Sequence, residues 1–121
     1  MKSNIQEFIA LLFLSRDFAH KAHLNTDSYA QHVALSGFYD GIVDLADSLA
    51  EAWMGRNLEK VGDIPTLESP KGDPLDVLLK HLDVVMDVRD FIPKEDTALN
   101  NIVDEIESLY LSTIYKLKFL K

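Results

Sequence analysis

Histidines and carboxylates gather in one stretch of this chain, His20–Glu51, which reads HKAHLNTDSYAQHVALSGFYDGIVDLADSLAE. It holds His20, His23 and His32, three of the four histidines, followed by Asp40, Asp44, Asp47 and Glu51 at helical spacing. Imidazole and carboxylate together suit iron, manganese or zinc. The chain has no cysteine. That excludes disulfides, thiolate nucleophiles and cysteine-ligated zinc, so any metal site must be built from these two side-chain types.

Helical geometry constrains what the stretch can do. At ~100° per residue, with Ile42 taken as the direction of the core, the four acids fall roughly opposite it and His32 lies on the flank, ~80° away. A charged stripe is ordinarily a solvated face. Asp47 and Glu51, however, are four residues apart and meet on that face, with no Lys or Arg three or four residues from either. Water or a cation from elsewhere must answer them. His32 and Asp47 are fifteen residues apart, roughly 22 Å of helix, whereas metal–ligand bonds are about 2 Å. A metal held by both therefore lies between two chains, histidine from one and carboxylates from the other. His20 and His32 stand six residues either side of Thr26, level across a hairpin. His23 points toward the core stripe of its helix, where a histidine is ordinarily a buried, hydrogen-bonded residue. His81 stands alone and receives no role.

The elements that position these residues follow from the 3.6-residue period. Residues 3–24 read as a first helix capped by Ser3, with a stripe through Ile5, Phe8, Ile9, Leu12, Ala19 and His23. Its run FIALLFL is apolar nearly all round, which predicts a second buried face and hence contact with another chain. Asn25–Asp27 is a short break. The second helix, capped by Thr26 or Ser28, runs to Trp53–Gly55 with Gly55 as its C-cap. Residues 56–72, with Pro65, Pro70, Gly62 and Gly72, read as a crossover between two helix pairs. Asp73-Pro74 starts a third helix, whose stripe is Leu75, Leu78, Leu79, Leu82, Val85 and Met86 and which Pro93 ends. A fourth starts at Asp96 or Thr97 and runs to the C-terminus through Leu99, Ile102, Val103, Ile106, Leu109, Tyr110, Leu117 and Leu120. No strand signal competes. The expected fold is all-α: one antiparallel four-helix domain over 1–121, with one long crossover.

The 121 residues suit a single domain, and 47% hydrophobic residues suffice for a core. A net charge of −8 opposes default binding to nucleic acid or anionic membrane. No apolar run is long enough for a membrane span, and no small-residue cleavage site follows Phe8–Leu14, so the expected location is the cytoplasm.

His20 and His32, with Asp47 and Glu51 at these spacings, resemble the ferroxidase pattern of the Dps mini-ferritins. Tyr39 sits where those proteins commonly carry an aromatic residue, and TALNNIVDEIESLYLSTIYKLKFL is similar to their last helix. The resemblance implies a ferritin-like fold, a homodimer or larger oligomer, and iron bound at a two-fold interface, with manganese and zinc as alternatives. The histidines would come from one subunit, Asp47 and Glu51 from its partner. His23-Leu24-Asn25 also resembles the family's His-Trp-Asn, so His20 and His23 both stand as ligands. The chain departs from the pattern at Ser36, where the family commonly has another acid. It also lacks a basic N-terminal tail and an evident short helix in the crossover. HLNTDSYAQHVALSGFYD looks like small tailed-phage proteins thought to be ferritin-like, which places the protein in a host cytoplasm. Two functions follow: a Dps-like metal protein, or a non-enzymatic acidic helical dimer that docks on a host protein.

Overall fold

The computed structural model describes the backbone of residues 2–121 and the side chains of residues 4–121. Four α-helices, α1 (Lys2–Asn25), α2 (Tyr29–Asn57), α3 (Pro74–Val88) and α4 (Thr97–Phe119), account for nearly all the regular structure, with one 3₁₀ turn at Arg89–Phe91. No strand occurs among the described residues. The expected Ser3 cap falls outside the described side chains.

Local chemistry sets the helix ends. Ser28 is extended (φ −93°, ψ 121°) and its hydroxyl accepts from the Gln31 N–H, capping α2. Asp73 caps α3 through the Leu75 N–H ahead of Pro74, and Asp96 caps α4 through the Leu99 N–H. The far end of α2 departs from expectation. The helix runs through Gly55, and Leu58 takes the left-handed conformation (φ 55°), its N–H donating to the Met54 carbonyl. Buried Trp53 and the reach of Arg56 to Asp96 (2.9 Å) hold the extra turn in place. The third helix likewise stops at Val88, and the tighter turn Arg89–Phe91 fills the space before Pro93.

The helices form a bundle in which α1 pairs with α2 and α3, and α4 pairs with α2 and α3. Ser15 meets His81 and Phe8 meets Phe91, so α1 and α3 are antiparallel. Arg56 meets Asp96, and Tyr29 and Val33 lie beside Lys116 and Leu120, so α2 and α4 are antiparallel too. Every packed neighbour is thus antiparallel, which requires the chain to return along the bundle between α2 and α3. Residues 58–73 make that return along α1. Gln6 Nε2 donates to the Val61 carbonyl (2.7 Å) near its start. Ile64 to Leu67 then lie against Ala10, Phe13, Leu14 and Asp17, and Ser69 to Gly72 reach Phe18 and Lys21.

This crossover accounts for the run that is apolar all round. Phe8, Ile9, Ala10, Leu11 and Leu12 are all buried within one chain, because α1 is covered on one side by helices and on another by the crossover. The sequence pattern points to a second chain for that face; the chain itself covers Phe8 to Leu12 and leaves Phe13 of the same run 39% exposed. Two residues of the expected α3 stripe, Leu79 and Met86, are exposed, and so is Leu120 of the expected fourth-helix stripe, which lies just past the end of α4. The core runs through Leu35, Phe38, Ile42, Leu78, Val103 and Ile106.

Candidate functional site

The histidine cluster sits at the hairpin end of α1 and α2. His23 and His32 stack with ring centroids 3.7 Å apart and planes 20° apart. Each Nδ1 lies 2.8 Å from the other residue's backbone carbonyl. A carbonyl oxygen only accepts, so both Nδ1 atoms carry the proton and donate, leaving each Nε2 with the lone pair. The two residues form a reciprocal clasp that ties the last turn of α1 to the first turn of α2. His20 stacks on Tyr39 (4.2 Å, 14°), and His23 meets the edge of Tyr39 (5.3 Å). His20 and His23 are 6.2 Å apart. All four rings are half-buried. His23 is therefore not enclosed in the core, as its place on the α1 stripe had suggested, but turned toward α2.

The carboxylates lie elsewhere. Asp40, Asp44, Asp47 and Glu51 are all exposed on the outer face of α2, and none enters an ion pair among the described residues. Among the described residues no three His, Asp or Glu side chains stand together as a metal-holding group. The expected ligand set thus divides into a histidine half and an acid half. The histidine half is itself poorly aimed. A metal needs lone pairs converging on one point about 2 Å from each nitrogen. Those of His23 and His32 lie in stacked, nearly parallel planes that meet only far beyond that distance. The donors of one chain, as arranged, do not fit a closed metal site.

A second polar constellation escaped the sequence pattern. Tyr110, completely buried on α4, donates its hydroxyl to Ser15 Oγ (2.6 Å). Ser15, completely buried on α1, lies 2.6 Å from His81 Nδ1 on α3. With its oxygen accepting from Tyr110, Ser15 gives its own proton to His81 Nδ1, and the ring proton sits on Nε2. Burial pushes the His81 pKa down and the Tyr110 phenol up. The chain pins three helices together at mid-bundle. Ser15 has no exposure through which a substrate could reach its hydroxyl, so the Ser–His contact is structural. The available signal was a serine directly after the apolar run Phe8–Leu14 and a histidine on the buried stripe of α3.

Two further concave regions involve α2 and α4 together. A cleft of ≈ 570 Å³ at the other end of the bundle is lined by Trp53, Arg56, Phe91, Pro93, Asp96 and Leu99. Arg56 donates to both Asp96 oxygens (2.9 and 3.2 Å), which leaves Glu95 as the remaining charged side chain of the lining. A groove of ≈ 440 Å³ between the start of α2 and the end of α4 is lined by Tyr29, Ala30, Val33, Lys116, Leu120 and Lys121. On α4, Leu111, Tyr115 and Phe119 form an exposed stripe at i, i+4 and i+8 (49, 53 and 65% exposed), with the Tyr115 and Phe119 rings 5.7 Å apart. No helix of the described residues is long and apolar enough to cross a membrane.

Comparison with known proteins adds a lineage. No solved structure matches the chain significantly. The chain is similar to the "Uncharacterized 14.6 kDa protein in mobD-ri intergenic region" of Enterobacteria phage T4, 28% identical over 116 residues, which cover 95% of this chain and 88% of that protein. The profile of DUF5856, described as a family of unknown function, matches residues 23–117, from the clasp histidine His23 to the last turns of α4. The chain belongs to that family.

Proposed function

We propose that this is a non-enzymatic, phage-type helical-bundle protein that works by binding another macromolecule in the host cytoplasm. The observation that carries this is the state of the histidine pair. Both Nδ1–H groups are spent on the clasp and the rings are stacked on each other, which is what a hairpin-end fastener requires. The acids of α2 face outward without internal cations, as a docking face would. The single crossover and the all-antiparallel neighbours support kinship with ferritin-like bundles, which also have one long connection. A ferritin-derived frame kept for binding accounts for both the connectivity and the histidines.

A metal site between two copies is the second reading, favoured by the tautomers: Nε2 of His23 and of His32 is the nitrogen left free for coordination. His20 or His23 with His32 from one copy, and Asp47 with Glu51 from the other, would hold iron, manganese or zinc. This requires one clasp ring to turn out of the stack. The test is metal analysis of untagged protein, before and after anaerobic loading with iron(II), manganese(II) or zinc(II). The binding reading expects no stoichiometric metal. Stoichiometric metal that is lost in both His32→Ala and Asp47→Ala/Glu51→Ala homodimers, and that returns to about half in their mixed heterodimer, would establish the trans site instead.

A further inference from the structure

We infer that the basic, aromatic end of the α2–α4 pair docks on the acidic stripe of α2 in a second copy of this chain. The inference rests on the binding reading above and names the partner. The chain carries 12 Lys and Arg against 20 Asp and Glu, yet its C-terminal segment inverts that balance. After Glu107 there is no acid, and Lys116, Lys118 and Lys121 close the sequence. None of these lysines enters an ion pair among the described residues, and neither does any of Asp40, Asp44, Asp47 and Glu51. One chain thus presents two unanswered surfaces of opposite sign, and Lys116 and Lys121 of the positive one line the groove with Tyr29, Val33 and Leu120.

Their spacing lets two copies satisfy each other. Gly41 packs on Leu109, and the groove sets Val33 beside Lys116, which fixes the level of α4 against α2. The lysines lie level with the first turns of α2 and the acids about 15–20 Å further along it. A two-fold axis crossing α2 between them turns one copy end for end. Each copy's lysines then fall on the other's acids, two equivalent contacts form, and the assembly closes as a dimer. Gly37 lies near that crossing on the exposed side of α2, where an added Cβ would meet nothing within 4 Å, so a second helix can come close. Tyr29, Val33, Tyr115 and Phe119, all exposed, supply the apolar surface that the contact removes from water.

The experiment is sedimentation of the full chain at 10 to 100 µM, in about 50 and about 500 mM salt, because exposed charge pairs are screened by salt. The variants are Lys116→Glu/Lys118→Glu/Lys121→Glu and Asp40→Lys/Asp44→Lys/Asp47→Lys, with helicity checked by circular dichroism; all six sites are exposed. Expected results are a wild-type dimer weakened about tenfold or more by salt, monomers for each reversed protein alone, and a heterodimer when the two are mixed. A wild-type monomer at 100 µM in low salt overturns the contact, as does a dimer that survives either reversal, or a mixture that stays monomeric. A monomer that floats with phosphatidylserine vesicles through the same lysines overturns it in favour of a membrane. None of these failures loads the protein with metal, so they stay distinct from failure of the binding reading.

Discussion

Removing the Ser15 hydroxyl should cost more than removing the Tyr110 hydroxyl that donates to it, although Tyr110 is far larger. Ser15 is the middle of the chain Tyr110–Ser15–His81, with both contacts at 2.6 Å. In Ser15→Ala the phenol of Tyr110 loses its acceptor and His81 Nδ1 loses its donor, at sites 0% and 8% exposed. A buried polar group left without a partner costs about 1–3 kcal/mol, so two of them cost about 2–6 kcal/mol. Tyr110→Phe keeps the ring in the core and leaves Ser15 still donating to His81, a loss of about 1 kcal/mol. The double variant removes the stranded phenol, so it should be no less stable than Ser15→Ala alone. That negative coupling separates a hydrogen-bonded chain from simple packing. The assay is urea unfolding at pH 8 followed by helicity, with each kcal/mol also worth about 3–5 °C in Tm for a domain of this size. A Tyr110→Phe loss equal to or above that of Ser15→Ala, or additive losses in the double variant, would refute the reasoning.

The same histidine sets a pH dependence. His81 is held below its ordinary pKa by burial, so the unfolded chain takes up its proton first as pH falls, and stability rises with pH between the native value and the unfolded value of about 6.5. Thermal unfolding should therefore show a loss of Tm from pH 7.5 toward pH 5.5 that His81→Asn, which keeps an acceptor for Ser15 and does not titrate, makes shallower; an unchanged slope would exclude His81 as a contributor. In the clasp, His23→Ala and His32→Ala should each raise amide exchange across residues 24–32 while leaving mid-α2 protected, and the double variant should cost less than the sum, since either change alone breaks the reciprocity. Gly55→Ala has open space and should stabilise α2 by up to about 1 kcal/mol. At Gly41 a Cβ would stand 3.1 Å from Leu109 Cδ2, so Gly41→Ala should give no gain in urea unfolding, and an equal gain at both sites would show that α2 and α4 are further apart than described.

Which properties of this protein belong to its sequence is clearest along α2. Ser28 as a cap, the buried positions at Leu35, Phe38, Ile42, Leu49 and Trp53, and the outward acids at Asp40, Asp44, Asp47 and Glu51 all follow from a 3.6-residue repeat and short-range hydrogen bonding. The four helices, the turn at 26–28 and the crossover are local signals of the same kind. Three features needed the tertiary structure. The second covered face of α1 was legible as apolar, but what covers it depends on the path of residues 58–73, which no periodicity encodes. The sequence set His20 level with His32 across the hairpin and His23 toward the core, whereas in the bundle His32 stacks on His23 and His20 stacks on Tyr39; the direction of each clasp ring is set by a carbonyl on the opposite helix, and that direction decides whether the pair chelates or clasps. Tyr110, Ser15 and His81 come from three helices and up to 95 residues apart in sequence; only the antiparallel stacking of α1, α3 and α4 brings them level. The sequence determines which face each helix buries, because burial is a periodic, additive property of one helix. The bundle decides which polar atoms meet, because a hydrogen bond is a directional contact between two.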